Sequence, residues 1–212
     1  MAANEQDFSD WCGKTEVSHD IIDPALAERL RTTLLRGEQT PVTGVLPTLG
    51  HWCYFQSPAP ADLLGEDGHP QRGGFLPPIA LPRRMWAGGS LEFLAPIPIG
   101  ATLSRHSTIG SIQAKEGRSG KLVFVSITHD YWQEETKLIT EQQELVFRAA
   151  AIKDNTFSAN NKTTTLPPPE KTPTPLHSQT LRGDAVILFR FSALTFNSHR
   201  IHYDRDYAIQ VE

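Results

Sequence analysis

The sequence predicts an α+β domain in which a long antiparallel sheet is wrapped on a helix. Three observations carry this: a capped amphipathic helix near the N-terminus, a change of apolar period from helical to alternating after residue 90, and glycine-rich turn chemistry before the longest strand. For the helix, Asp23 is a good N-cap and Pro24 suits the first helical position. Leu26, Leu30 and Leu34 then recur on one face, and Gly37 closes it. Residues 45–55 are apolar and aromatic, and Val45, Leu49, Trp52 and Phe55 have the spacing of a buried helix with Pro47 in its first turn. A Pro- and Gly-rich loop follows over 57–82, and a loop of that length usually covers or lines a site.

The strands come next. Segments 91–94, 101–111, 121–132 and 138–148 read as extended, and in 121–132 Val123, Val125, Ile127, His129 and Tyr131 share one face. The turn at 116–120, with Gly117 and Gly120, makes a hairpin connection. Residues 152–180 lose all periodicity: a run of Asn, Lys and Thr, three consecutive prolines from Pro167, then Pro173 and Pro175 make a linker. Beyond it, Val186-Ile187-Leu188-Phe189 reads as a new strand ending near Ser192. A strand plus about twenty residues is too short to fold alone.

Composition narrows the function classes. The 212 residues carry 20 Lys+Arg against 24 Asp+Glu, a net charge of −4, with no basic cluster to follow a phosphate backbone. No apolar run approaches the length of a membrane helix, so neither nucleic acid nor membrane is an expected partner. Cys12 and Cys53 are the only cysteines, which excludes a disulfide framework. The first ten residues lack a basic and then apolar leader pattern and contain Glu5, Asp7 and Asp10, so the expected location is cytoplasmic.

Chemistry concentrates in 191–208. Asn197 and His202 stand five apart, offering an imidazole that exchanges a proton near neutral pH and an amide that orients a water or holds an oxyanion. The His199-x-x-His202-x-Asp204 spacing lacks a further ligand for a tetrahedral metal, so no metal is expected. Ser192 and Ser198 lack a nucleophile elbow, which argues against a serine hydrolase. Trp52, Tyr54 and Phe55 fit either an acyl channel or, more simply, the core.

This segment resembles the MaoC-like, or hydratase 2, family of hydro-lyases, whose signature is Gly-Asp-x-Asn-Pro-aliphatic-His, five residues, then Ala. Ile201, His202 and Ala208 match in register; the family's catalytic His falls on His202 and its catalytic Asp on Asn197. The family's Gly is replaced by Phe196, its second Asn by His199 and its Pro by Arg200. With Phe75-Leu76-Pro77-Pro78, with Leu81-Pro82-Arg83-Arg84-Met85-Trp86-Ala87-Gly88-Gly89, and with Phe189 to Asn197, the chain is most similar to one branch. It is the branch of mesaconyl-C4-CoA hydratases and type 2 hydroxyacyl-thioester dehydratases, which carry two hot-dog domains.

The resemblance implies an N-terminal hot dog over 1–150 that forms a non-catalytic wall of an acyl-thioester tunnel. A linker over 151–182 then leads to the incomplete beginning of a second, catalytic-type hot dog at 183–212. It implies water addition to, or removal from, an enoyl thioester without metal or redox cofactor. His202 would be the general base, Asn197 would fix the water, and Arg83, Arg84 and Trp86 would bind substrate. It leaves open an acyl-CoA or an acyl-carrier-protein substrate, hydration or dehydration, a homodimer, and a non-catalytic thioester-binding module.

Overall fold

In a computed structural model, the structure describes residues 8–34, 44–117, 120–149, 180 and 182–211. The expected linker lies outside them except for Thr180 and Arg182, as does Gly37.

Five strands make one antiparallel sheet: β1 (Thr15–Ile21), β2 (Arg83–Phe93), β3 (Thr102–Gly117), β4 (Gly120–Gln133) and β5 (Thr136–Arg148), in the order β1-β3-β4-β5-β2. β3, β4 and β5 form a meander, with Gly117 paired to Gly120 across the first turn. β2 and β1 close the two edges. Alternation holds along β4: Val123, Val125, Ile127 and Tyr131 are buried together on the inner face.

Two apolar clusters cover that face. Around Tyr131, Ile139 and Leu103, helix α1 (Pro24–Leu34) packs Ala27 and Leu30 onto the sheet. Around Val125, Ile127 and Phe147, the cover is Ile79 with Phe75, Leu76 and Leu81 of the proline-rich loop. α1 starts as expected, the Asp23 carboxylate accepting the Leu26 N–H at 2.7 Å. The loop stays in place because the Arg72 guanidinium donates to the carbonyls of Ile79, Leu81 and Pro82, backbone acceptors that a proline run cannot satisfy internally. A helix wrapped by an antiparallel sheet is the hot-dog architecture of the α+β class.

Two expected elements differ. Residues 45–55 contain only a short 3₁₀ turn, Gly50–Cys53, because Leu49 takes a left-handed conformation (φ 66°) that stops any α-helix there. Of the residues expected on its face, Phe55 is buried while Val45 and Leu49 are exposed; Tyr54, next to Phe55, is also core. Residues 186–189 are helical and not a strand. Helix α2 (Ala185–Leu194) begins at Asp184, whose carboxylate caps the Val186 and Ile187 N–H groups at 3.0 and 2.9 Å. α2 packs on α1, and Phe191 and Leu194 join the α1 cluster, so this segment contacts the first sheet's core and exposes no unpaired strand edge. A 3₁₀ turn, Arg200–His202, and helix α3 (Arg205–Gln210) follow. Among the described residues no helix is long and apolar enough to cross a membrane.

Candidate active site

The turn that leaves α2 carries the expected pair, and the structure brings its members together. Asn197 is held first: its Oδ1 accepts the His199 backbone N–H at 3.0 Å, the usual Asx turn. That contact aims Nδ2 at the His202 imidazole, 3.1 Å from Nε2. Because the amide nitrogen donates, His202 Nε2 presents its lone pair, and the proton of the neutral ring sits on Nδ1. Burial, with His69 second, lowers the His202 pKa, keeping the ring a free base near neutrality. Asn197 is exposed and His202 half-buried, so water and a ligand reach both.

Two residues beside this pair were not anticipated from sequence. Loop residues Asp67 and His69 form a dyad, His69 Nδ1 to Asp67 Oδ2 at 3.1 Å, with the His69 N–H on Asp67 Oδ1 at 3.0 Å. Burial alone would raise the Asp67 pKa, but the side-chain and backbone hydrogen bonds from His69 outweigh it and carry it down to about 2. The His69 ring lies against His199, centroids 4.3 Å apart, and His199 meets His202 edge-on at 6.0 Å. His199 is 7% exposed, and burial and His69 push its pKa down to about 4. No motif marks the dyad; the only pointer in the sequence is that the 57–82 loop is long and polar in its middle.

The dyad also joins the imidazoles to a cleft of ≈ 900 Å³ lined by loop residues on either side of Gly68, by Pro82, Arg83, Arg84 and Arg200, and by one face of α3. Arg83 and Arg84 both line it, Arg83 buried and Arg84 with Asp67 as its nearest anion. Burial lowers the Arg84 pKa while Asp67 opposes the shift. Four arginines and four carboxylates (Glu66, Asp67, Asp204, Asp206) face this space. Trp86 is not among its lining residues: the ring packs against Trp52 at 5.4 Å and donates to the Gly88 carbonyl at 2.6 Å, half-exposed on β2.

A second polar cluster lies inside the sheet. His51 Nε2 meets Glu141 Oε2 at 3.2 Å, Trp52 donates to Oε1 at 3.0 Å and Tyr131 to Oε2 at 3.0 Å. His51 and Glu141 are 1% and 2% exposed. Burial works against the Glu141 carboxylate, but these hydrogen bonds hold its pKa below the ordinary range. Next to it in register, His129 bonds Ser107 Oγ at 2.8 Å, and burial, with Arg105 second, pushes its pKa down to about 4.

Known proteins share this chain's pattern. A family model described as hydroxyacyl-thioester dehydratase type 2 matches residues 49–212. Mesaconyl-C(4)-CoA hydratase of Chloroflexus aurantiacus is 43% identical over 209 residues, which are 95% of this chain and 70% of that protein. The mitochondrial hydroxyacyl-thioester dehydratase type 2 of Schizosaccharomyces pombe is 25% identical over 175 residues, 76% of this chain and 58% of that one. The crystal structure of HtdX of Mycobacterium tuberculosis shares the fold, with a TM-score of 0.52 at 13% identity over 92% of this chain and 66% of that one. With the matched stretch taking in the Asp67–His69 loop, the cleft and the Asn197–His202 turn, the chain belongs to the hydroxyacyl-thioester dehydratase type 2 family.

Proposed function

We propose that this chain carries the general base, His202, and the water-orienting amide, Asn197, of a hydro-lyase that adds water to, or removes it from, an enoyl thioester, with mesaconyl-CoA as the first substrate to test. The observation that carries the reading is the Asn197–His202 contact, 3.1 Å between an amide donor and an unprotonated imidazole nitrogen. A water entering between them donates to Nε2 and accepts from the amide. His202 takes the water's proton as its oxygen bonds to the β-carbon, and the electrons move onto the thioester oxygen. The proton then goes to the α-carbon, and in the reverse direction His202 protonates the departing hydroxyl. The net addition is redox-neutral, so no redox cofactor is part of the proposal.

In the same reading, Arg83 and Arg84 hold the phosphates of coenzyme A in the cleft, where planar guanidinium groups suit phosphate oxygens. Similarity to the Chloroflexus hydratase favours a short dicarboxylic acyl group over the longer chain of a carrier-protein substrate. The test is turnover of mesaconyl-CoA and crotonyl-CoA by this chain and by His202→Ala, with light scattering to show whether it acts as a monomer or a homodimer. Loss of about 10²–10⁴-fold in turnover with thioester binding retained is the expected result. Equal turnover by the two proteins would end the assignment.

A further inference from the structure

The 65–70 loop segment is fastened to the turn bearing Asn197 and His202, some 130 residues later, by contacts that leave almost no play. Ser198 Oγ donates to the Gly68 carbonyl, and the Arg200 N–H donates to the Asp67 carbonyl at 3.0 Å. Arg200 Nη1 reaches the Glu66 carbonyl at 3.1 Å. Gly68 sits at φ +85° with the Ser198 carbonyl oxygen 2.1 Å from where a Cβ would stand. Only a residue without a side chain permits that approach. The segment that delivers Asp67 and His69 is thus built into the site and does not drape over it.

We propose that His69, anchored by Asp67, is a positioning residue for His202: through the intervening His199 ring it fixes the imidazole cluster and leaves His202 as free base. This rests on the acid–base role of His202 proposed above. Three imidazoles in a row, at 4.3 and 6.0 Å between neighbouring centroids, cannot all be cations. The anion in contact with the row is Asp67, 3.1 Å from His69. Arg84 from β2 and Arg72 from the loop face the same end and add positive charge around it. On the far side, Arg200 is paired with Asp204 at 2.6 Å, which removes both from the reckoning.

Of the three rings, His69 is the one bonded to an anion, and His202 is the one whose Nε2 faces the Asn197 amide nitrogen. The low pKa values of His199 and His202, each with His69 among its causes, agree with this geometry. His199, in the position of the family signature's second Asn, becomes the neutral spacer that transmits packing and charge from the loop to the base.

The experiment uses the full chain and a pair of substitutions of opposite charge. His69→Gln keeps a donor for Asp67 but removes the imidazole; His69→Lys places a permanent cation beside Asp67. Imidazole C–H resonances, assigned through His→Gln variants, give the titration midpoint of His202, and crotonyl-CoA hydration gives the acid limb of kcat/KM. The expectation is that His69→Gln raises both midpoints by about half a unit to one unit and His69→Lys lowers them. A structural role alone would move the two variants in the same direction. Midpoints that stay put, or move together, overturn the proposal. The NMR readout stands without turnover. If His202→Ala retains full activity while the His69 variants still shift the His202 midpoint in opposite directions, the acid–base reading fails and the positioning contact survives.

Discussion

Two histidines of this molecule occupy similar local settings and opposite environments. His51 and His202 each sit in a 3₁₀ turn, each followed by an aromatic residue, after helices that pack on one another. His51 is sealed beneath the sheet and tied to a carboxylate that Trp52 and Tyr131 also address. His202 is half-buried, and its partner is a neutral amide at the surface. A buried imidazole whose hydrogen bond goes to an enclosed carboxylate is committed to holding the fold; one bonded to an exposed amide can exchange that donor for a water or a ligand.

Exchanging glutamine for each histidine breaks the comparison most sharply. His202→Gln should cost about a hundredfold or more in turnover and leave the urea midpoint within error of the parent. His51→Gln should do the reverse, lowering stability by about 1–3 kcal/mol while the folded fraction keeps its activity. Matched losses of activity and stability in both variants would dissolve the distinction.

Glu141 tests how far the sealed cluster acts as a unit. Glu141→Ala strands His51, the Trp52 N–H and the Tyr131 hydroxyl together, and removing one partner of a buried pair costs about 3 kcal/mol or more. Chemical denaturation should show a lower midpoint at unchanged slope. Glu141→Gln, which still accepts from Trp52 and Tyr131, should recover part of the loss. No recovery would mean that charge rather than hydrogen bonding holds the cluster.

These two regions were unequally legible in the sequence. His202 and Asn197 could be found because a local motif holds them within six residues, and the strands from β3 to β5 because their faces alternate or their turns carry glycine; of β2 only the last residues, 91–93, were legible, because burial does not alternate along it. The apolar run at 186–189 misled because a short stretch of Val, Ile, Leu and Phe suits either a buried strand or a helix; the Asp184 cap decides it. The spacing in 45–55 was real, but one left-handed residue, Leu49, converts it into a turn that keeps only part of it buried. β1 escaped notice because it is an edge strand with Val17 and Ile21 exposed, so no apolar face announces it. The Glu141 cluster and the Asp67–His69 dyad depend on residues about 90 and 130 positions away, contacts that only the tertiary fold creates.

Gly68 offers a smaller perturbation on the open side. Gly68→Ala combines a left-handed backbone with a Cβ aimed at the Ser198 carbonyl, so the loop must withdraw from the turn it supports. A loss of about 1–2 kcal/mol, together with a larger fractional loss of turnover than stability explains, is the expected pattern. A variant as active as the parent at a temperature where both are folded would show that the loop and the Asn197–His202 turn are independent.

The gentlest test is acidity, and its sign follows from the imidazoles. His129 on the sheet and His199 in the turn after α2 both have folded pKa values of about 4, against about 6.5 in an unfolded chain. Between those values the unfolded chain binds protons that the native one refuses, so stability is full above about pH 6.5 and declines as the pH falls towards 4. Further acidification protonates carboxylates held low in the fold, Glu141 and Asp67, the latter near 2, and continues the decline. Melting temperature measured from pH 8 to pH 4 should fall through this window in the parent chain. His129→Gln, which keeps a group able to bond Ser107, should flatten the slope more than His199→Gln. Burial dominates both shifts, but at His129 the permanent cation of Arg105 adds to it, while at His199 the next contribution comes from another imidazole, His69. An equal effect from the two variants would show that the fixed charge beside His129 adds nothing to burial.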